Sequence, residues 1–366
     1  MCYSLKVLPE KIIRPTVVVD LKKVKENILS IINKATHSNT SVRLHCKTHQ
    51  SKEISNLIMN IGITKITVSS VEMAEQFAEY GWKDICIAFP VNILEIDAIN
   101  ALASRVKLYL IVDHSDVVTF LDQNLSHDIQ VWIDIDAGYG RTGVLVSDNR
   151  EIVHLAKQID HSEKMNLAGI LTHSGETYAC RGKEDILKLH QGVFETLKSV
   201  QSILKNEGLA YQLSVGDTPI ASTLTHFEGI DEIRPGNLAL YDMTQSFIGS
   251  CHHSQIAISL ACPIVSKYRK RLELLVHAGG VHFSKDAIET ETGKLYGRCM
   301  ALSDGRWITP HMDVIRLCQE HGIVSVQPEQ FDRFNIGDTL YIHPVHACMV
   351  MNLFKSVSQD RVVYLS

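Results

Sequence analysis

Eight short apolar segments recur along the first two thirds of this chain, and amphipathic segments separate them. Brief runs of apolar and β-branched residues are typical of parallel strands buried on both faces. Strand alternating with helix eight times predicts an α/β protein with a (β/α)8 TIM barrel. Periodicity alone leaves an open doubly wound sheet as the alternative. The predicted strands are Arg43–Cys46, Lys65–Val68, Ile85–Ala88, Leu108–Val112, Val131–Ile135, Ala168–Thr172, Gln212–Val215 and Glu232–Arg234.

The pattern changes after about residue 250, where strand-like segments follow one another with few helical stretches. We therefore predict a barrel over residues 11–250 and a second, mainly β domain over residues 251–366, to which residues 1–10 contribute. The clearest helices are Leu21–Lys34, Val71–Tyr80 and Asp185–Lys205. The predicted strands of the second domain are Ile256–Leu260, Leu272–Val276, Thr339–Ile342 and Arg361–Leu365.

The composition favours a small metabolite as the ligand. The net charge of −5 gives no basic patch for nucleic acid, so a nucleic-acid partner is not expected. No apolar stretch approaches the roughly 18 residues that span a bilayer. Charges at Lys6, Glu10 and Lys11 interrupt the segment that a signal peptide would keep apolar. Nine cysteines without a CxxC pair indicate reduced thiols, so we expect a cytoplasmic protein without membrane contact.

Lys47 directly follows the first predicted strand, at the end where barrels place their active sites. A lysine at a strand end is usually a solvated surface residue. The neighbours His45, Thr48 and His49 are, however, unusually polar for a buried strand exit. A desolvated lysine has a lowered pKa and can form an imine with a cofactor aldehyde.

Other chemically reactive residues follow later strands. Arg141 projects from the glycine-rich segment DIDAGYGRTGV, and His173, Glu176 and Tyr178 lie in LTHSGETYAC. The loops after the seventh and eighth strands have the small residues with which barrels build a phosphate site, although ordinary loops would look similar. The candidate phosphate residues are Ser214, Gly216, Thr218, Gly236 and Asn237.

A possible metal site lies in the second domain, in the segment HPVHACMVMNL. His346 and Cys348 are two positions apart, so on a strand both side chains would face the same side. Imidazole with thiolate is a pair that zinc prefers. A buried cysteine beside a histidine is the alternative interpretation. Two protein ligands would leave coordination positions open, as catalytic sites do.

These segments, in this order, resemble the D-serine dehydratase and D-threonine aldolase family, and more distantly the alanine racemases, which are fold-type III pyridoxal phosphate enzymes. The resemblance runs through RPTVVVDLKKVKENI, RLHCKTHQS, DAGYGRTGV, THSGETYAC, SVGDTPIAS, EIRPGN and HACMVMNL. It implies pyridoxal 5'-phosphate as cofactor, a small D-amino acid as substrate, and a homodimer.

The resemblance also implies roles for the candidate residues. Lys47 would form the imine and take the substrate's α-proton, Arg141 would contact the phenolic oxygen, and His173 would pack against the ring. Tyr178 would face the pyridine nitrogen. The phosphate would be held by Ser214, Gly216, Thr218, Gly236 and Asn237. His346 and Cys348 would bind a divalent metal, with zinc expected, beside the substrate's β-hydroxyl.

Within the family, a His-x-Cys pair resembles the zinc-dependent dehydratases, whereas aldolases more often have aspartate at the second position. We therefore expect a lyase that converts a D-3-hydroxy amino acid to a 2-oxo acid and ammonia, as D-serine dehydratase does. Cleavage to glycine and an aldehyde is the first alternative. A racemase using Tyr296 or His282 as a second base, and a non-catalytic cofactor carrier, are the others.

The chain departs from the family pattern at three places. Met349 and Val350 replace a common Pro-Thr, His277 replaces a common aspartate, and Glu176 replaces a common histidine. We expect these changes to surround the substrate, so they leave its identity open.

Overall fold

The computed structural model describes residues 11–209, 211–301, 306–357 and 361–365. Contacts divide the chain into two units. The barrel unit consists of Ile28–Lys47 and Ser51–Gly236, and the β unit consists of the residues up to Asn27, Thr48–Gln50 and the residues from Asn237 onward. Across the described ranges, no helix is long and apolar enough to cross a membrane.

The barrel unit is a ring of parallel strands. Its first strand is in two pieces: Ser41–Val42 pairs with Glu232–Ile233, and Leu44–His45 pairs with Ile66–Val68. This double pairing closes the ring, so the predicted barrel is confirmed and the open sheet is excluded. All eight predicted segments contain strand. The strands are Ser41–Val42, Leu44–His45, Ile66–Val68, Asp84–Pro90, Lys107–Val112, Ile129–Asp136, Met165–His173, Gln212–Gly216 and Glu232–Ile233, with a short addition at Val144–Leu145.

Helices alternate with these strands, as the sequence predicted. Leu21–His37 shows the reason, because Val24, Ile28, Ile31 and Ala35 recur at helical spacing and are all buried. Serine side chains cap two of the helices by accepting hydrogen bonds from backbone N–H groups. The other helices are Lys52–Asn60, Val71–Glu79, Ile96–Ala103, Ser115–Asn124, Asn149–Asp160, Lys183–Asn206 and Thr218–Thr223.

The barrel interior holds a buried ion pair. Arg43, 1% exposed, donates from Nε to Glu232 Oε2 at 2.8 Å and from Nη1 to Asp84 Oδ1 at 2.5 Å. Its guanidinium lies 4.3 Å from the Tyr109 ring centroid. Burial alone would raise the pKa of Glu232, but the charges of Arg43 and Lys65 lower it. Glu232 is therefore a buried carboxylate that can hold further donors in place.

The β unit contains a closed ring of six antiparallel strands. Ile258–Tyr268 pairs with both Thr339–Pro344 and Glu273–His277, and the second pairing has an irregularity between Ile264 and Ser266. The six strands are Ile258–Tyr268, Glu273–His277, His321–Ser325, Asp313–Leu317, Gly297–Met300 and Thr339–Pro344. A hairpin of Ile288–Thr290 and Gly293–Leu295, and the helices Met243–Ile248, Gly280–Phe283, Pro328–Phe331 and Ala347–Val357, complete the unit.

The division between the units differs from the predicted one. Thr16–Asp20, which we assigned to the barrel, pairs with Ile258–Tyr268 and with Val362–Leu365. Its apolar residues find partners only in sequence more than 200 positions away, which periodicity does not reveal. The break before the β unit falls at Asn237 and not at residue 251. The predicted contribution of residues 1–10 lies outside the described residues.

Candidate active site

Lys47 lies in a single turn, Cys46–Thr48, that begins where the first barrel strand ends. It is half-buried, and its backbone N–H donates to His45 Nδ1 at 3.4 Å. Burial, followed by the charges of Lys47, His173 and Arg234, holds the pKa of His45 well below its usual value. Lys47 is therefore close to the His45 imidazole, which is neutral at pH 7.

His173 directly follows the sixth predicted strand, is the last residue of the observed strand Met165–His173, and is held by the next strand. The parallel pairing of Met165–His173 with Gln212–Gly216 places His173 beside Gly216, whose carbonyl accepts a hydrogen bond from His173 Nδ1 at 2.5 Å. Burial, then the charges of Arg141 and Lys47, lowers the pKa of His173 to about 3. The ring is therefore neutral at pH 7, with its proton on Nδ1 and its Nε2 lone pair available.

Arg234 is a buried cation that the sequence analysis did not single out. Its Nη2 donates to the Thr172 carbonyl at 2.8 Å, and its Nη1 donates to the Ser214 hydroxyl. A Cβ on Gly216 would lie only 2.8 Å from Arg234 Nη2. Position 216 therefore has to be glycine for the Arg234 guanidinium to pack against its backbone. The charge of Arg234 contributes to the lowered pKa values of His45 and His173. Its position at the end of the eighth predicted strand was the available signal.

The structure does not place Ser214 with the other candidate phosphate residues. Its side chain is fully buried, where its hydroxyl donates to Glu232 Oε1 at 2.9 Å and accepts from Arg234. Ser214 lies inside strand Gln212–Gly216, and on a strand only alternate residues face one side. Thr218 and Gly236 follow the two final strands, which pair in parallel, so their loops lie at the same end of the barrel.

The glycine-rich segment gives Arg141 an exposed position. Gly143 has a φ of 104°, and a Cβ there would lie 2.7 Å from the Asp136 backbone nitrogen, so the turn requires glycine. The Arg141 guanidinium lies 5.5 Å from the Tyr139 ring centroid, and Tyr139 meets the His173 ring edge-on at 6.1 Å. Arg141 and His173 are therefore brought together, as predicted from their strand ends.

Tyr178 lies on the turn Gly175–Ala179 and is 37% exposed. In the same turn, Glu176 comes within 3.2 Å of the position that a Cβ on Gly138 would occupy. Glu176 also faces Asp217. Burial, together with the charge of Glu176, raises the pKa of Asp217 to about 8. Asp217 is 5% exposed, and its Oδ1 accepts from the Ile220 N–H at 2.6 Å. Hydrogen bonds from Ile220 and Thr177 lower the pKa of Asp217, but less than burial raises it.

Replacing Asp217 with asparagine is expected to stabilise the protein at neutral pH. A carboxyl whose pKa rises from 3.8 to about 8 on folding holds its proton more tightly in the folded state, so wild-type stability declines between those pH values. Asparagine keeps the helix cap without the ionisable group. The variant should gain about 1–3 kcal/mol in urea unfolding at pH 8. The gain should vanish below pH 4; an equal gain at both pH values would contradict the assignment.

The candidate metal residues lie in the β unit, but not on a strand. His346 immediately precedes helix Ala347–Val357, and Cys348 lies in its first turn. The strand prediction was wrong because Ala347, Val350, Met351 and Phe354, which are all buried, recur at helical spacing. The two side chains nevertheless meet, because they form a hydrogen bond with each other.

Carboxylates surround this pair. His346 Nδ1 lies 2.6 Å from Asp286 Oδ2, which directs Nε2 away from that carboxylate. Burial opposes protonation, but the bond to Cys348, the charges of Cys348 and Asp242 and the bond to Asp286 raise the pKa of His346 to about 10. Burial also opposes ionisation of Cys348, yet its bond to His346 lowers its pKa. Both shifts favour a protonated imidazole beside an ionised thiol.

Metal-binding histidines usually donate their second nitrogen to a carboxylate, as His346 can to Asp286. In the part of the chain that the structure describes, no three His, Cys, Asp or Glu side chains are grouped so as to hold an ion. His346 and Cys348 are therefore candidate ligands as a pair, with Asp286 beside the histidine. His282, proposed as a second base, is buried against His277 and Phe354 and has a pKa lowered to about 4 by burial. Tyr296 is half-buried in the β unit.

Comparison with known proteins gives two family matches. The model of the alanine racemase N-terminal domain matches residues 19–244, and that of a serine dehydratase domain matches residues 257–358. A D-serine dehydratase of Dictyostelium discoideum is 28% identical over 376 residues, covering 93% of this chain and 91% of the relative. A D-threo-3-hydroxyaspartate dehydratase of Delftia sp. (strain HT23) is 26% identical over 344 residues, covering 91% and 90%.

Solved structures of proteins related to these families are similar to this chain over most of its length. The structure of the Delftia dehydratase has a TM-score of 0.86 at 27% identity and covers 95% of both chains. D-threonine aldolase from Filomicrobium marinum shares the fold, with a TM-score of 0.80 at 19% identity over 93% of this chain and 88% of that one. Two further similar structures are D-threo-3-hydroxyaspartate dehydratase variants with a histidine-to-alanine and a cysteine-to-alanine change at positions two apart, and the cysteine variant is in a metal-free form.

Proposed function

This chain belongs to the alanine racemase N-terminal domain family, as its motif order predicted, and from that premise we propose that it is a pyridoxal phosphate-dependent lyase acting on D-3-hydroxy amino acids. The observation that carries the proposal is the group of Lys47, His45, His173 and Arg234 at the carboxyl ends of the barrel strands. The relatives that match over most of the chain are dehydratases of such substrates.

The barrel mouth fits the cofactor. Lys47, Arg141 and Arg234 supply positive charge, and both nearby imidazoles are neutral, so the site suits a phosphorylated, anionic ring. Lys47 would hold the aldehyde carbon, Arg141 the phenolic oxygen, and His173 a ring face. The loops at Thr218, Gly236 and Asn237 would hold the phosphate through backbone N–H groups. Bound there, the cofactor supplies an electron sink for a substrate carbanion.

Lys47 also provides the base. In its neutral form, Lys47 Nζ would accept the α-proton of the substrate from one face of Cα. His45 and His173 have pKa values far below 7, so they do not compete for this proton. Abstraction from a single face by a single base would restrict the enzyme to one α-configuration, here D, and would disfavour racemisation.

His346 and Cys348 would hold a divalent ion, with zinc as the expected metal. The chemistry that such an ion supplies is polarisation of a hydroxyl oxygen, which makes it a better leaving group. Asp286 would fix the His346 ring. The metal-free form of a D-threo-3-hydroxyaspartate dehydratase cysteine variant supports this pair. Loss of water followed by hydrolysis would give a 2-oxo acid and ammonia. We expect a cytoplasmic homodimer.

The proposal is tested by incubating purified protein with D-serine, D-threonine, D-threo-3-hydroxyaspartate and their L-isomers, with and without EDTA. We expect 2-oxo acid and ammonia in equal amounts from at least one D-isomer, and loss of turnover with EDTA. Glycine and an aldehyde would assign aldol cleavage instead. Interconversion of D- and L-isomers that EDTA does not affect would show that the protein is a racemase. Absence of turnover by protein that has bound the cofactor would favour a non-catalytic cofactor carrier.

A further inference from the structure

Two residues that are distant in the sequence, Thr48 and Asn237, contact the Cys348 sulfur within the β unit. The Thr48 hydroxyl lies 3.4 Å from Cys348 Sγ, and Asn237 Nδ2 lies 3.8 Å from it. Thr48 is fully buried and Asn237 is 6% exposed. A metal-binding cysteine is a thiolate, which can only accept hydrogen bonds, so in that state both groups act as donors.

Asp242 fixes one of these donors and the helix that carries the sulfur. It is 1% exposed, and its Oδ2 accepts from Asn237 Nδ2 at 2.5 Å and from the Ala347 N–H at 2.9 Å. Its Oδ1 accepts from the Gln245 N–H at 3.0 Å. Turning the Asn237 amide over would set its oxygen against this carboxylate. The amide nitrogen is therefore held toward both Asp242 and Cys348.

We propose that Thr48 and Asn237 are positioning residues of the metal site, which orient the Cys348 thiolate and stabilise it by hydrogen bonds. The inference rests on the proposed function, because it concerns the ion expected on His346 and Cys348. It also changes the role predicted for Asn237. The Asn237 side chain contacts the Cys348 sulfur, so only the Asn237 backbone N–H could bind a phosphate.

Hydrogen bonds to a ligand atom typically contribute 10–100-fold to metal affinity. Thr48→Val removes the hydroxyl at nearly constant volume, Thr48→Ser restores it, and Asn237→Leu removes the amide. Thr67→Val is the matched control, because Thr67 is equally buried but its hydroxyl donates to the Arg43 carbonyl. Each protein, with cofactor bound, is titrated with zinc against a chromophoric chelator and, separately, with cobalt(II).

We expect zinc affinity to fall about 10–100-fold in Thr48→Val and Asn237→Leu, and to stay within about threefold of wild type in Thr48→Ser and Thr67→Val. The thiolate-to-cobalt absorption band should shift in the first two variants only. Equal zinc affinity and an unchanged cobalt band in Thr48→Val would overturn the inference. Wild-type protein that binds neither metal would instead refute the metal site of the proposed function. If Asn237→Leu fails to fold, Thr48→Val still decides.

Discussion

Replacing Lys47 with alanine is expected to remove the imine absorbance band of the purified protein and to lower kcat/KM for its D-amino acid substrate by about 10⁴-fold or more. The loss should be large because one nitrogen has two roles, holding the aldehyde and accepting the α-proton. Effects of this size exceed those of any single phosphate or ring contact. Absorbance spectra and initial rates, measured at saturating cofactor, check both parts.

Lys52→Ala is the matched control for Lys47. Lys52 lies five residues further along, on the exposed side of helix Lys52–Asn60, where its Nζ is 5.9 Å from the Tyr80 ring centroid. This variant should keep both the band and the rate. An intact band in Lys47→Ala would place the imine on another lysine. A lost band with an unchanged rate would mean that catalysis does not need the covalent bond.

Replacing Cys348 with alanine is expected to release the metal and to lower dehydration about 100-fold or more while leaving the imine band intact. The cofactor residues come from barrel strands, whereas Cys348 lies on helix Ala347–Val357 of the β unit. The variant leaves His346 as the remaining ligand of the pair. Metal content by atomic emission, together with 2-oxo acid formation, checks the result.

Cys318→Ala is the corresponding control, because Cys318 is an exposed free thiol away from this pair in sequence. It should retain metal and activity. Full dehydration by metal-free Cys348→Ala would show that the hydroxyl leaves without help from an ion. Loss of the imine band in the same variant would show instead that the substitution disturbs the barrel.

The barrel could be predicted because its strands are buried on both faces, so each produces a short apolar run. Strand Ile129–Asp136 is an example, with six of its eight residues buried. The positions of Lys47, Arg141 and His173 followed from the same fact, since residues after parallel strands lie at one end of a barrel. Their mutual approach is visible in the lowered pKa of His173.

What could not be predicted depends on contacts between distant segments. Nothing local in Thr16–Asp20 indicates that it pairs with Ile258–Tyr268. Whether Ser214 faces the barrel interior or a phosphate depends on a one-residue alternation within its strand. Asn237 turns toward Asp242 and Cys348 because a buried carboxylate holds its amide. The helix that carries Cys348 could have been predicted from the sequence, because the buried residues after His346 recur at helical spacing.

The most direct test of the central claim is to reduce the holoprotein with borohydride, digest it and identify the labelled peptide by mass spectrometry. The account predicts one phosphopyridoxyl group, attached to the ε-amino nitrogen of Lys47. A label on any other lysine, or none on a protein that has bound the cofactor, would contradict it.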